Sequence, residues 1–120
     1  MCIRDRLRGV RNPVVLTGDV HSHWAAEVND PRSGPVATEL VTTSISSGGD
    51  GSDSRPDVEA VLPENPHIKY FSNRRGYVRT RITADELRAD FRTLPFVTRP
   101  GASAQTDATF VIADRVPVLT

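Results

Sequence analysis

The sequence predicts a strand-rich architecture with many turns rather than a bundle of helices. Nine prolines and eight glycines occur in 120 residues, which leaves little room for long uninterrupted helices. The apolar runs are short, and residues 77–83 alternate in the period-2 manner of a strand with one face in water. Hydrophobic residues make up 38% of the chain, which is low for a self-sufficient globular protein. These observations favour a single β-rich domain or a piece of one.

The first half is predicted to contain two strands separated by turns. Residues 14–17, Val-Val-Leu-Thr, form a short apolar run typical of a strand buried on both faces. Residues 25–35 are rich in turn-forming Asn, Asp, Pro and Gly. Residues 36–43 are predicted to form the second strand, and residues 44–66 a long loop rich in Ser, Gly and Pro. A loop of this length in a compact domain is usually functional or mobile.

The second half is predicted to be a β-meander. Its strands are expected at residues 67–71, 77–83, 87–97 and 108–113. The turn between the first two of these strands is expected to be a hairpin at residues 72–76, Ser-Asn-Arg-Arg-Gly. Thr83 and Glu86 have the spacing of a helix capping box, but the alternation that follows favours a single turn and then a strand.

The first six residues are interpreted separately from the rest. Met1-Cys2-Ile3-Arg4-Asp5-Arg6 resembles the in-frame translation of a sequencing adapter, and a genuine start is the alternative. If this segment is an adapter, the true product begins upstream, and residues 7–120 are the C-terminal part of a larger domain. Cys2, the only cysteine of the sequence, then belongs to the adapter, so no disulfide is expected.

The charges and the hydropathy exclude two classes of partner. Fifteen basic residues balance fifteen acidic ones, so the sequence predicts neither a nucleic-acid-binding surface nor a surface for anionic membranes. A transmembrane helix needs roughly 20 apolar residues in succession, and no run in the sequence approaches that length. The expected ligands are therefore small molecules or metal ions.

A candidate metal-binding motif follows the first predicted strand directly. Gly18-Asp19-Val20-His21 places a carboxylate and an imidazole two residues apart. Ligands collect at strand ends in α/β folds, and these side chains suit iron, zinc, manganese or, for the carboxylate, calcium. The spacing alone leaves a second interpretation open, a structural turn around Asp19 followed by a partly buried and hydrogen-bonded His21.

Several separated blocks resemble the PhoD-like alkaline phosphatases of the metallophosphoesterase superfamily. Residues 15–25 resemble the Gly-Asp-x-His-x-x-Trp motif of that family. Further blocks follow in the same order, so that the resemblance spans about residues 12–115; they lie at 43–51, 65–71, 73–78 and 98–101. The earlier metal-binding blocks of the family have no counterpart in this sequence. The resemblance therefore implies the C-terminal part of a PhoD-like domain.

This resemblance implies a fold and a reaction. The fold is α/β, a four-layer metallophosphoesterase sandwich to which this fragment contributes mainly strands. The reaction is metal-dependent hydrolysis of small phosphomonoesters, with diesters as a further substrate class. Ferric iron and calcium are the metals of the family, and other divalent ions are the alternative. The family also implies export to the periplasm or the cell exterior, although no signal segment is present in this chain.

The resemblance also assigns roles to four residues around the motif. Asp19 and His21 carry over as metal-binding and catalytic residues, although two ligands are too few to hold a metal site. His23 is interpreted as a residue that supports the ligands or lies at the surface. Trp24 is interpreted as a packing anchor beside the site.

Two further regions have open interpretations. The loop at residues 44–53 is either an anion cradle of backbone N–H groups, a calcium-recruiting loop through Asp50 and Asp53, or a mobile surface loop. Asn73 and Arg75 are candidates for contact with substrate phosphate, and a hairpin turn with solvated arginines is the alternative. For the chain as a whole, the alternative function is a non-catalytic β-rich binding module on the same scaffold.

Overall fold

Two β-sheets and one short helical segment make up residues 9–120, the part of the chain that the structure, a computed structural model, describes. The elements are β1 (Val14–Thr17), β2 (His23–Asp30), β3 (Gly34–Val41), α1 (Pro56–Val61), a 3-10 helix (Leu62–Glu64), β4 (Ile68–Ser72), β5 (Arg75–Ile82), β6 (Glu86–Leu94) and β7 (Gln105–Ala113). The six residues interpreted as an adapter lie outside the described residues. Within residues 9–120, no helix has the length and apolar character needed to cross a membrane.

Sheet A contains four strands in the order β1-β3-β2-β4. β1 runs parallel to β3, and the other two pairs are antiparallel. The sequence predicted turns throughout residues 25–35, but residues 25–30 belong to β2. Ala, Asn and Asp are weak strand formers, and pairing with β3 as far as Asp30, with β4 added as far as Ala26, overrides that local preference.

Sheet B is a three-stranded antiparallel meander in the order β5-β6-β7. The predicted turn at Thr83 and Glu86 is confirmed, since the hydroxyl of Thr83 accepts a hydrogen bond from the Glu86 N–H. The predicted four-stranded meander is wrong in its first strand, because β4 pairs with β2 in sheet A. Residues 72–76 therefore connect two sheets and do not form a hairpin turn.

The hydrophobic core lies between the two sheets. Its fully buried members are Ala25 and Leu40 from sheet A and Ala89, Phe91 and Ile112 from sheet B. Aromatic rings pack against one another between the sheets. The centroid of the Phe91 ring lies 4.8 Å from that of Tyr70 and 5.9 Å from that of Phe110. The alternation along the first part of β6 produces this arrangement, because Leu87, Ala89 and Phe91 share one face of the strand.

Burial of β1 on both faces was predicted and is not found within residues 9–120. β1 is the edge strand of sheet A and pairs only with β3 in this part of the chain. As a result the Leu16 side chain is 62% exposed. An apolar edge strand that leaves its side chains in water is a site for further pairing or packing.

The long loop predicted at residues 44–66 contains a short helical segment. α1 begins at Pro56, where the missing N–H of proline is tolerated, and Asp57 and Glu59 lie in its first turn. Val58 is the buried residue of this helix and anchors it to the rest of the fold. Six residues are too few to show a clear apolar face, so periodicity could not reveal this helix.

An ion-pair cluster on the outer face of sheet B leads to a testable prediction. Arg79 and Thr109 both donate hydrogen bonds of 2.8 Å to the Asp90 carboxylate, and Arg88 adds a longer one of 3.3 Å. These donors lower the pKa of Asp90 from 3.8 to about 2. The ionised carboxylate is therefore favoured by folding, and its contribution is present above pH 4 and lost as the pH falls through about 2.

In the full-length protein, the Asp90→Asn substitution is expected to lower the free energy of unfolding by about 1–2 kcal/mol at pH 7. The difference from wild type should shrink by about half at pH 3, which urea denaturation at the two pH values would measure. Asp85→Asn is the matched control. The backbone N–H and carbonyl of Asp85 form hydrogen bonds, but its carboxylate forms none with the described residues. An Asp90 variant whose deficit does not change with pH would contradict the prediction.

Candidate functional site

Three strand ends and the turns that follow them meet at one edge of sheet A. β1 and β3 are parallel, and β4 points in the same direction because both β3 and β4 are antiparallel to β2. The chain leaves these three strands at residues 18–22, 42–47 and 73–74. The predicted metal-binding motif, the Ser-Gly loop and the Asn73 region are therefore gathered at the same edge, which we call the carboxyl edge. Ligand sites of α/β folds form at such edges.

Asp19 and His21 lie in the turn between β1 and β2 with unusual backbone conformations. Their φ angles are +74° and +55°, in the left-handed region that non-glycine residues seldom adopt. Such strain is tolerated where the surrounding structure determines the turn, and it concentrates at functional sites. Both residues are exposed at the carboxyl edge.

Within residues 9–120, neither side chain is bonded to the rest of the fold. Among the residues that the structure describes, no hydrogen bond or ion pair engages the Asp19 carboxylate or the His21 imidazole. The alternative interpretation from the sequence, a hydrogen-bonded turn followed by a partly buried histidine, is therefore not observed. The lone pairs of both side chains remain available, which fits the donor set of a transition metal or, for Asp19, of calcium.

The two residues have no further ligand beside them in this part of the chain. Within residues 9–120, no group of three or more His, Cys, Asp or Glu side chains lies close enough together to hold a metal ion. A catalytic transition-metal site ordinarily has at least three protein ligands. The remaining ligands of any such site must come from sequence beyond these residues.

His23 is a structural residue of the sheet junction, unlike His21. It is fully buried, and its Nδ1 accepts a hydrogen bond of 3.3 Å from the Thr43 N–H. Its Nε2 therefore carries the proton and donates to the Arg92 carbonyl in sheet B at 3.1 Å. Burial lowers the pKa of His23, and the bond to Arg92 opposes this only in part. With both nitrogens occupied, His23 is neither a metal ligand nor a surface residue in this structure.

Trp24 packs beside the motif on the opposite face of sheet A. Its ring lies 4.5 Å from that of Phe71, and its indole N–H donates a bond of 2.8 Å to the Ser22 hydroxyl. Trp24 also lines an open groove of about 730 Å³ that runs along this outer face of the sheet. This arrangement agrees with a packing anchor, since Trp24 ties β2 to β4 and to the turn before it. His67 precedes β4 and lines the same groove.

The Ser-Gly loop is anchored at its acidic residues. The Asp50 carboxylate accepts hydrogen bonds from the backbone of Val97 and Thr98 and from the Thr98 hydroxyl, at 2.7 to 3.1 Å. These donors lower the pKa of Asp50. Asp53 pairs with Arg74 at 2.8 Å. Both carboxylates are thus engaged within the chain, which disfavours the calcium interpretation and also the interpretation as a freely mobile loop.

Arg75 and Asn73 form the other anchor of this loop. Arg75 is only 2% exposed, although the sequence predicted a solvated arginine in a hairpin turn as one alternative. Its guanidinium donates to the hydroxyl of Ser44, to the carbonyl of Ser47, and to the carbonyl and side-chain oxygen of Asn73. The sequence offered no signal for this burial, because the partners are uncharged and two of them, Ser44 and Ser47, lie about 30 residues away.

Comparison with known proteins agrees with this geometry. The family model described as PhoD-like phosphatase matches residues 3–91. Alkaline phosphatase D of Bacillus subtilis (strain 168) is 47% identical over 108 residues, which cover 87% of this chain and 18% of that protein. A solved structure of PhoD is 42% identical and matches with a TM-score of 0.91, covering 99% of this chain and 24% of its own.

These matches confirm the resemblance predicted from the sequence and the mainly β character of the segment. The chain spans less than a quarter of the length of each of these two relatives. The family model covers well over half of the chain. The chain therefore belongs to the PhoD-like phosphatase family.

Proposed function

We propose that this chain is the C-terminal part of a full-length metal-dependent phosphoesterase that hydrolyses small phosphate esters. The observation that carries the proposal is the pair Asp19 and His21, exposed on a strained turn at the carboxyl edge and without a hydrogen bond or ion pair in the part of the chain that the structure describes. Membership of the PhoD-like phosphatase family supports the reaction class. Phosphomonoesters are the proposed substrates, and phosphodiesters are the second class to be tested.

Asp19 and His21 are the residues of this chain that would hold a metal, together with ligands from the remainder of the protein. The Asp19 carboxylate would offset part of the charge of the cation, and a ring nitrogen of His21 would donate its lone pair to it. When bound, metal ions of such sites polarise phosphoryl oxygens and lower the pKa of a coordinated water. Ferric iron and calcium are the proposed ions. We also propose export of the full-length protein, in keeping with the resemblance.

The test of this proposal is metal removal from the full-length protein. Hydrolysis of p-nitrophenyl phosphate should be lost after dialysis against a chelator and restored by iron with calcium, with zinc and manganese added separately to compare other ions. Bis-p-nitrophenyl phosphate measured in parallel would decide whether diesters are substrates.

Two outcomes would contradict the proposal, and they differ. Unchanged hydrolysis after chelation, with metal content below one-tenth equivalent by elemental analysis, would indicate a hydrolase of different chemistry. No hydrolysis with any metal would favour the alternative, a non-catalytic binding module on this scaffold. The upstream sequence provides an independent check, because an intact enzyme must contain the further metal-binding residues there.

A further inference from the structure

We propose that Arg75 is a positioning residue, which holds the turn Ser44–Ser47 at the carboxyl edge so that this turn forms one wall of the phosphate-ester site. This inference deepens the proposed function and rests on it. Arg75 itself is buried and both of its terminal nitrogens bond within the chain, so it would act through the turn and not by touching substrate.

The first step of the argument is the cost of burying Arg75. Burial lowers the pKa of its guanidinium, which remains charged at neutral pH. No carboxylate among residues 9–120 pairs with it, and its buried Nε has no hydrogen-bond partner. Taking a cation out of water without a carboxylate partner is unfavourable, whereas an apolar side chain at this position would carry no such desolvation cost. A residue kept at that cost has a role that an apolar side chain cannot perform.

The second step is what the guanidinium holds. One terminal nitrogen binds both Ser44 and Ser47, the two ends of the turn, and the other binds Asn73 at the end of β4. The Ser44 hydroxyl also donates to the Ser47 carbonyl at 2.6 Å, which closes the turn on itself. Gly48 follows directly, and a side chain there would approach Arg75 to 2.9 Å. The planar fork of arginine thus fixes the turn against two strands at once.

The third step is where the turn lies. The Thr42 N–H donates to the Thr17 carbonyl at 3.0 Å, so the chain leaving β3 runs beside the chain leaving β1. Ser44 is two residues beyond Thr42, and Asp19 is two residues beyond Thr17. Between the anchored ends of the turn, Ile45 is 64% exposed. The turn is therefore held by hydrogen bonds at both ends, and it presents an exposed apolar side chain on the same edge as the candidate metal residues.

The test compares the kinetics of variants of the full-length protein. Arg75→Met should raise KM for p-nitrophenyl phosphate at least tenfold, while metal content stays at the wild-type level and kcat falls by less than threefold. Ser44→Ala, which removes one partner only, should raise KM about threefold. Arg79→Met is the matched control, because this arginine lies on the same strand but pairs with Asp90 on the outer face. Its KM should be unchanged.

A second readout does not depend on activity. In the metal-free protein, amide exchange across residues 44–48 should be at least tenfold faster in Arg75→Met than in wild type, and unchanged in Arg79→Met. If Arg75→Met fails to fold, Ser44→Ala decides the matter by the same two measurements. Arg75→Lys should recover part of the KM, since one ammonium group can reach a single partner but cannot bridge all of them.

The failure of this inference is distinct from the failure of the proposed function. If the wild-type protein shows metal-dependent hydrolysis, yet Arg75→Met and Ser44→Ala keep KM within twofold and lose only thermal stability, Arg75 is a structural residue alone and the inference is overturned. If the wild-type protein shows no metal-dependent hydrolysis, the proposed function fails first, and the inference fails with it.

Discussion

His21→Ala in the full-length protein is expected to lower the bound metal and to reduce phosphomonoester hydrolysis by orders of magnitude, while the fold survives. The side chain is exposed and makes no hydrogen bond in the described part of the chain, so its loss removes no structural contact there. A site with few protein ligands loses affinity sharply when one of them is deleted. Elemental analysis and hydrolysis of p-nitrophenyl phosphate are the two measurements.

Asp19→Asn should have a similar effect, because the amide keeps the shape but removes the charge that offsets the cation. His67→Ala is the matched control, since this histidine precedes β4, at the end of the strand opposite the carboxyl edge, and should leave both readouts unchanged. If His21→Ala keeps near wild-type metal and rate, the assignment of the site is wrong. Circular dichroism of each variant would establish that the fold is retained.

Gly76→Ala is expected to destabilise the protein by about 3 kcal/mol or more. Gly76 has φ +154°, and a Cβ placed there would lie 1.9 Å from the Arg92 carbonyl oxygen and 2.8 Å from its carbon. These are backbone atoms of the paired strand β6, so a rotamer change cannot relieve the clash. The same carbonyl accepts the bond from His23 that joins the two sheets. The free energy of unfolding from urea denaturation measures the effect.

Gly34→Ala separates the clash from the backbone strain. Gly34 has φ +76°, but nothing lies within 4 Å of a Cβ added there. Its replacement should cost only the left-handed penalty, about 1–2 kcal/mol. Equal losses for the two variants would contradict the prediction, because they would show that strand β6 yields at Arg92.

The sequence patterns correctly predicted features that depend on residues close together in the chain. The motif from Gly18 to His21 follows a strand, as the apolar run 14–17 predicted, and the turn at Thr83 and Glu86 is closed by its own hydroxyl. Family membership was also predictable, because it depends on ordered blocks of sequence and needs no coordinates. Asp19 and His21 remain predicted ligands that await the metal measurements above.

Other features depended on partners distant in sequence, and no local pattern could reveal them. The sequence offered two roles for His23, support of the ligands or a place at the surface, but the structure buries it between Thr43 and Arg92, which occupy both of its nitrogens. Arg75 lies in a polar stretch typical of a turn. This stretch connects sheet A to sheet B, however, and Arg75 is buried there.

The sequence by itself determined the strand-rich character, the positions of most strands along the chain and the family. The tertiary structure alone decided which strands pair and that β4 and β5 belong to different sheets. It also decided which polar side chains are buried and hydrogen-bonded within the fold. The physical reason is the range of the interactions. Alternation and turn chemistry act over a few neighbouring residues, whereas strand pairing and the burial of a charge are settled by groups tens of residues apart.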